Sequence, residues 1–305
     1  MQHLSWRTVS LALAVVSISA FASIRLDIPP RKQWTNKSGY CGEVCIQQIA
    51  LYYGAYISQY RIREIIDPTQ AQDVWVPENS GPIFKALKFA TRTWDSTLAT
   101  PQYKAYLVWI KGHLQQGHPV IFDVFVQGES DPAYDHIMLA TGFTAANAAA
   151  YDPADSLIFT DGYWSRPYSR LFGSLHDTRA MSGNGAVYEY CIPKRVDRGC
   201  AVLGFKDLSG TALPVSMKID RWDEPNVTQG AWPAELNATI RVGGLKAGNS
   251  YALLRYDDYR RVPKNNYLAS AFDRKTVFTA SSGSASFSDT VRSDGMAIYR
   301  CVPVP

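Results

Sequence analysis

Gly39-Tyr40-Cys41-Gly42-Glu43-Val44-Cys45-Ile46-Gln47-Gln48-Ile49-Ala50-Leu51-Tyr52-Tyr53-Gly54 reads as a helix that begins on a cysteine. Cys41, Val44, Cys45, Gln48, Ile49 and Tyr52 recur at i, i+3, i+4 spacing. That spacing predicts a buried helix over 41–53, with Gly54 as its stop. Cys41 then sits at the helix N-terminus, beside unpaired backbone N–H groups and the positive end of the macrodipole. Both favour the thiolate, which is the nucleophilic form. The flanking Gly39 and Gly42 leave room for a substrate carbonyl, whereas Cys45, one turn further in, is expected to be a buried, inert thiol. Taken alone, the segment suits a disulfide cysteine equally well.

About 95 residues further on, Asp135-His136-Ile137-Met138-Leu139-Ala140-Thr141-Gly142 places a histidine at the mouth of an apolar strand. From there its imidazole can reach a helix N-terminus on a neighbouring layer. Residues 149–151 read as the next strand, ending at Tyr151-Asp152-Pro153, and Asp152 offers a carboxylate to orient the ring and favour its imidazolium. The other histidines have simpler accounts. His3 belongs to the N-terminal leader, His113 and His118 flank a helix end where cation–dipole packing explains them, and His176 lies in an irregular polar stretch.

Around these motifs the first half reads as helix followed by strand. One helical stretch follows Pro82, with Ile83, Phe84, Leu87 and Ala90 on a stripe, and another runs from Tyr103 to Gln116. The β-rich runs are 119–126, 136–143, 149–151, 157–159 and 187–192. This is an α+β arrangement. After about residue 197 helical periodicity vanishes, and short alternating strands near 215–219, 238–242, 250–256, 275–280 and 296–301 predict a small all-β, sandwich-like domain. Gly244-Leu245-Lys246-Ala247-Gly248-Asn249-Ser250-Tyr251 resembles the leucine-to-tyrosine corner of fibronectin type III domains. The expected division is a signal peptide over 1–22, a catalytic domain over 23–197 and the β domain over 198–305. A boundary there implies that a chain ending near Lys194 folds alone.

The leader reading rests on Arg7, the apolar run over 9–21 and the small-x-small pattern Ala20-Phe21-Ala22. The run is too short to span a bilayer comfortably, so the expectation is a secreted protein with no membrane contact after cleavage. With 31 Lys and Arg against 27 Asp and Glu, the net charge is +4, an ordinary surface that points to neither nucleic acid nor lipid headgroups. Five cysteines in an exported chain suggest disulfides with one thiol left over. Leaving Cys41 free makes Cys200–Cys301 and Cys45–Cys191 the favoured pairs. Sequons stand at Asn36, Asn226 and Asn237, and a glycan is expected at Asn226 or Asn237 in a glycosylating host. There is no HExxH, no paired CxxC and no glycine-rich phosphate loop, so no metal or other cofactor is expected. The aromatic stretch around Gly162-Tyr163-Trp164-Ser165 is read as a packed loop.

The order of Gln33, Gly39-Tyr40-Cys41-Gly42, Gln116-Gly117-His118-Pro119-Val120-Ile121, His136 ahead of Thr141-Gly142, and Asp152-Pro153 resembles the bacteriocin-processing, double-glycine-type peptidases, which are papain-like cysteine peptidases. The resemblance covers about residues 31–195. It implies a papain-like cysteine-hydrolase domain in which Cys41 is nucleophile, His136 general base, Asp152 its orienter and Gln33 the side-chain donor to the oxyanion. It further implies a peptide or protein substrate cleaved through an acyl-enzyme. Two alternatives share the scaffold: a thiol acyltransferase or transpeptidase using the same site, and a non-catalytic secreted binding module. Glu43 departs from the pattern, standing where such proteins often have proline. Its carboxylate would oppose a low thiol pKa unless it points away.

Overall fold

The computed structural model describes residues 22–35, 39–74, 79–126, 136–175 and 190–305. The expected leader therefore lies outside the described residues except for Ala22, as do the Asn36 sequon, His176 and the first part of the strand expected over 187–192. The chain is a mixed α+β structure, mostly antiparallel sheet with few helices. Its first half runs β1 (Ala22–Arg25), α1 (Cys41–Tyr52), β2 (Ala55–Ile57), α2 (Gln59–Glu64), α3 (Ser80–Ala86), β3 (Phe89–Thr93), α4 (Tyr103–Gln115), β4 (Val120–Val126), β5 (His136–Ala145), β6 (Ser156–Thr160), β7 (Tyr168–Leu171), β8 (Tyr190–Cys191) and β9 (Cys200–Phe205). The second half runs β10 (Val215–Ile219), β11 (Glu235–Gly243), β12 (Ser250–Tyr256), β13 (Arg274–Thr279), β14 (Ser284–Arg292) and β15 (Met296–Pro303).

Strands β3-β9-β4-β5-β6-β7 lie side by side, with β1 added to β5 and β8 to β4, in one eight-stranded sheet. At its centre β5 is buried along nearly its whole length, as its unbroken apolar sequence requires. Both α1 and α4 pack on β5. In the second half, β10-β11-β14 and β13-β12-β15-β2 form two sheets that share a core including Met217, Ile240, Val291, Leu253 and Tyr299. Alternation along β11, with Leu236, Ala238, Ile240 and Val242 buried, sets its inner face. Tyr251 accepts a hydrogen bond from the Lys246 backbone N–H at 2.8 Å, the contact that the tyrosine-corner resemblance implies.

Several sequence expectations change. Ala90 belongs to β3 rather than to a helix after Pro82, because α3 ends at Ala86. Residues 149–151 form no strand; they belong to the turn region between β5 and β6. The expected boundary at 197/198 is crossed in both directions. β9 pairs with β3 and β4 in the first sheet, and β2 of the first half pairs with β15 as an edge of the sandwich. Apolar alternation identifies a strand without naming its sheet, so the pattern could not settle this. Neither favoured disulfide is formed: Cys45, Cys200 and Cys301 are buried free thiols, and Cys45 instead donates to the Ile137 carbonyl at 3.7 Å. Asn237 is exposed with its amide donating to Asp220 at 2.8 Å, and the Asn226 amide donates to the Thr35 carbonyl at 3.0 Å.

The two halves are joined by a buried polar cluster. Arg31 pairs with Glu224 at 2.7 Å, with 2% and 1% of the two side chains exposed. Glu224 also accepts from Tyr56 at 2.9 Å and from Gln47 of α1 at 3.0 Å. Such a pair stabilises little relative to an apolar substitute, but removing one partner strands a buried charge at a cost of about 3–5 kcal/mol. A chain ending at Lys194 would lose Glu224, β9 and β15 together. We expect it to aggregate or to unfold without a cooperative transition, as read by circular dichroism on heating; a sharp transition would show that the first half is self-sufficient.

Candidate functional site

Helix α1 delivers Cys41 to the first residues of β5. Gly42 to Leu51 are all buried, so the helix has no solvent face and its polar side chains reach partners within the protein, although Glu43 Oε2 and Gln47 Oε1 accept no hydrogen bond from the described residues. Glu43 forms an ion pair with Arg63 of α2, itself fully buried, whose guanidinium also bonds the Gly39 carbonyl and lies 3.5 Å from the Tyr40 ring centroid. Gln48 accepts from the Thr160 hydroxyl at 2.8 Å, fixing α1 against the end of β6. The close glycines serve packing more than substrate access. A Cβ on Gly42 would lie 2.6 Å from the Val74 carbonyl oxygen, and one on Gly39 would lie 3.3 Å from the Gln33 amide nitrogen.

His136 is buried at the start of β5, and its Nε2 lies 2.9 Å from the carbonyl oxygen of Asp161. A carbonyl only accepts, so this bond places the proton on Nε2 and leaves Nδ1 as the basic nitrogen. The carbonyl is presented by a turn that the Asp161 carboxylate braces, one oxygen accepting from the Tyr163 N–H at 2.9 Å and the other from the Tyr190 hydroxyl. Gly162 holds the turn at φ +79°, where a Cβ would lie 3.0 Å from both Gln33 and Val44. Tyr163 then stacks on the imidazole, ring centroids 5.2 Å apart and planes 24° from parallel. Gln33 closes the group: its backbone N–H donates to the Gly162 carbonyl at 2.8 Å and its side-chain amide to the Tyr163 hydroxyl at 3.3 Å.

Three of the four expected residues, Cys41, Gln33 and His136, therefore gather around the N-terminus of α1 and the mouth of β5. Asp152 is elsewhere. The β5–β6 register runs from Leu139 opposite Thr160 to Thr144 opposite Ser156. His136 lies beyond the first end and Asp152 in the turn at the second, a separation on the order of 30 Å along the hairpin. Asp152 is exposed, and its carboxylate accepts from the Ala154 N–H at 2.8 Å as a turn cap. Asp161 takes the orienting position. Its signal is present in the sequence: the strand over 157–159 leads to Thr160-Asp161-Gly162, the same strand-end setting that the sequence suggests for Asp152.

The electrostatics oppose a resting thiolate. Burial, then the Glu43 carboxylate, push the Cys41 thiol up to about 12, with Asp123 of β4 adding to the rise. The backbone N–H groups of Ile137 and Gly42 pull the other way and do not prevail. Burial lowers the His136 pKa, against the opposing charge and carbonyl of Asp161. Glu43, despite Arg63, is itself raised to about 7 by burial. The resting pair is thus thiol and neutral imidazole, in place of the expected thiolate and imidazolium. His113 is also neutral, its pKa brought down to about 4 by burial and by His118, so it is a packed ring and not a helix-capping cation. Beside the site, Tyr163 and Trp164 are 50% and 46% exposed rather than packed away.

No family model, curated protein or solved structure matches the chain.

Because Glu43 is the largest charge acting against the Cys41 thiolate, Glu43→Gln should shift the pH dependence of Cys41 alkylation by iodoacetamide to lower pH. Native Cys41 should react slowly at pH 7–8 and faster as the pH rises beyond about 8.5, the usual thiol range. Peptide mapping of the alkylated protein reads both curves. Superimposable curves would remove Glu43 from the account.

Proposed function

We propose that the protein is a cysteine hydrolase of papain-like type that cleaves peptide bonds through an acyl-enzyme on Cys41. The observation that carries this reading is that Cys41, at the first position of a buried helix, has its thiol against the backbone N–H of Ile137, the residue after His136, while Asp161 holds His136 as an Nε2–H tautomer and Gln33 bonds the adjoining turn. The Cys41 thiol gives its proton to His136 Nδ1 as the sulfur attacks the carbonyl carbon. The oxyanion that forms accepts from the Cys41 backbone N–H and the Gln33 side-chain amide. His136 passes the proton to the departing amine as the C–N bond breaks, leaving a thioester. Water then attacks, its proton goes to Nδ1, and the thiol leaves with that proton. A neutral thiol and imidazole suit this sequence when proton transfer and attack occur together, since desolvation by the substrate would not have to bury a pre-existing ion pair.

If an amine replaces water in the last step, the same site is a transferase or transpeptidase. The non-catalytic alternative draws its support from the strongly raised Cys41 pKa. An activated peptidyl ester, quenched in acid and examined by mass spectrometry, separates the readings. A thioester on Cys41 in the wild type and none in Cys41→Ala supports catalysis, and an added amine shows which nucleophile completes turnover. His136→Ala should slow acylation about 10²–10⁴-fold and Gln33→Ala about 10²–10³-fold. Asp161→Asn should slow it less, while Asp152→Asn should leave it unchanged. Absence of a thioester under all conditions would leave the binding module as the reading.

A further inference from the structure

At the end of α1 opposite Cys41, roughly 18 Å along a helix of this length, a cavity of about 590 Å³ opens between the first sheet and the sandwich. Tyr52 of α1, Tyr53 just after it, Phe205 of β9, Arg300 of β15 and Tyr267 from the loop between β12 and β13 contribute to its wall. Arg300 is only 4% exposed. Its guanidinium lies 3.5 Å from the Phe205 ring centroid, and Nη1 donates to the Tyr299 carbonyl at 2.6 Å. Nη2 is buried with no acceptor.

Neither carboxylate on the cavity wall accepts a hydrogen bond from Arg300, although the Asp207 charge acts on it. Asp27 pairs with Lys218 at 2.7 Å, and Asp207 accepts from the backbone amides of Ser209 and Ala212 at 3.0 and 2.8 Å. Burial brings the Arg300 pKa down to about 10, which still leaves it charged at neutral pH. Arg241 lines the same cavity as a second cation. A buried guanidinium with an unmet N–H is costly, and its usual complement is an anion that takes the unpaired side of the planar fork. Stacking on an aromatic ring, as on Phe205, holds that fork in one orientation.

We infer that this cavity binds a small organic anion, with a carboxylate or phosphate head on Arg300 and Arg241 and an apolar or aromatic body against Tyr52, Tyr53 and Phe205. The ligand would touch both halves of the chain and so stabilise their junction. This site is separate from the proposed catalytic one and does not depend on it.

Thermal unfolding and calorimetric titration of the full chain, at constant ionic strength, test the inference with benzoate, phenyl phosphate and benzamide. The two anions should raise the melting temperature saturably, and neutral benzamide should not. Tighter binding of benzoate would identify a carboxylate head, and tighter binding of phenyl phosphate a phosphate head. Arg300→Gln should lose the response. Arg300→Lys, which keeps the charge but not the fork, should weaken binding by about tenfold or more. Should Arg300→Gln fail to fold, Arg300→Lys and Ser216→Trp, which fills the cavity from β10, decide the matter. No response to either anion, an equal response to benzamide, or a response that survives Ser216→Trp would overturn the inference.

Discussion

The burial of α1 on every side is the constraint from which the rest of the structure follows. A helix with no solvent face is ordinarily apolar all round, yet this one carries Glu43, Gln47 and Gln48 at buried positions. Each unmatched group would cost on the order of 1–3 kcal/mol. The fold gives each of the three side chains a separate partner, Arg63 for Glu43, Glu224 for Gln47 and Thr160 for Gln48, while leaving Glu43 Oε2 and Gln47 Oε1 buried without one among the described residues. These bonds fix the helix in rotation and in height. Gln48 ties it to the residue before Asp161, so the contact that seats the nucleophile's helix also seats the turn that orients His136. Gln47 reaches the second half through Glu224, so the same helix is tied to the sandwich.

The same burial governs the chemistry. A helix N-terminus exposed to water would favour a thiolate, but here desolvation and Glu43 outweigh the nearby backbone N–H groups. Seated in an apolar setting, His136 is likewise held neutral. The positive end of a helix is worth roughly 0.3–1 kcal/mol near an exposed charge, too little to offset burying a charged sulfur. In the proposed mechanism, acid–base work falls to the transition state, where charge would develop against Gln33, the Cys41 N–H and the Asp161-braced imidazole. The rings of Tyr163 and Trp164 are exposed beside these groups, and Tyr163 contacts both His136 and Gln33.

Much of this was legible in the residues themselves. The helix from Cys41, the strand from His136, the Tyr103 helix and most of the sandwich strands were readable from periodicity, because local pattern and final burial agree there. Cys41, His136 and Gln33 were singled out by context and by resemblance, and the structure gathers them. What failed depended on distant partners. Asp152 and Asp161 have similar surroundings in sequence, and only strand register shows which end of the hairpin each occupies. Arg63 carries no motif at all, and its role exists only because α2 folds against Glu43. β2 and β9 exchange sides because a short apolar run cannot specify the sheet that it joins. Cys200 and Cys301 were paired on their positions near the ends of the β domain, but β9 belongs to the other sheet.

The central claim is that the Asp161 carbonyl holds His136 as a neutral imidazole with its proton on Nε2, leaving Nδ1 to act as base. Nitrogen-15 NMR of protein labelled at histidine, with the signal identified by its loss in His136→Gln, measures this directly. The account predicts an Nε2–H tautomer at pH 7, with bare Nδ1 and a titration midpoint below the usual 6.5. An imidazolium at pH 7, or a proton resident on Nδ1, would contradict it.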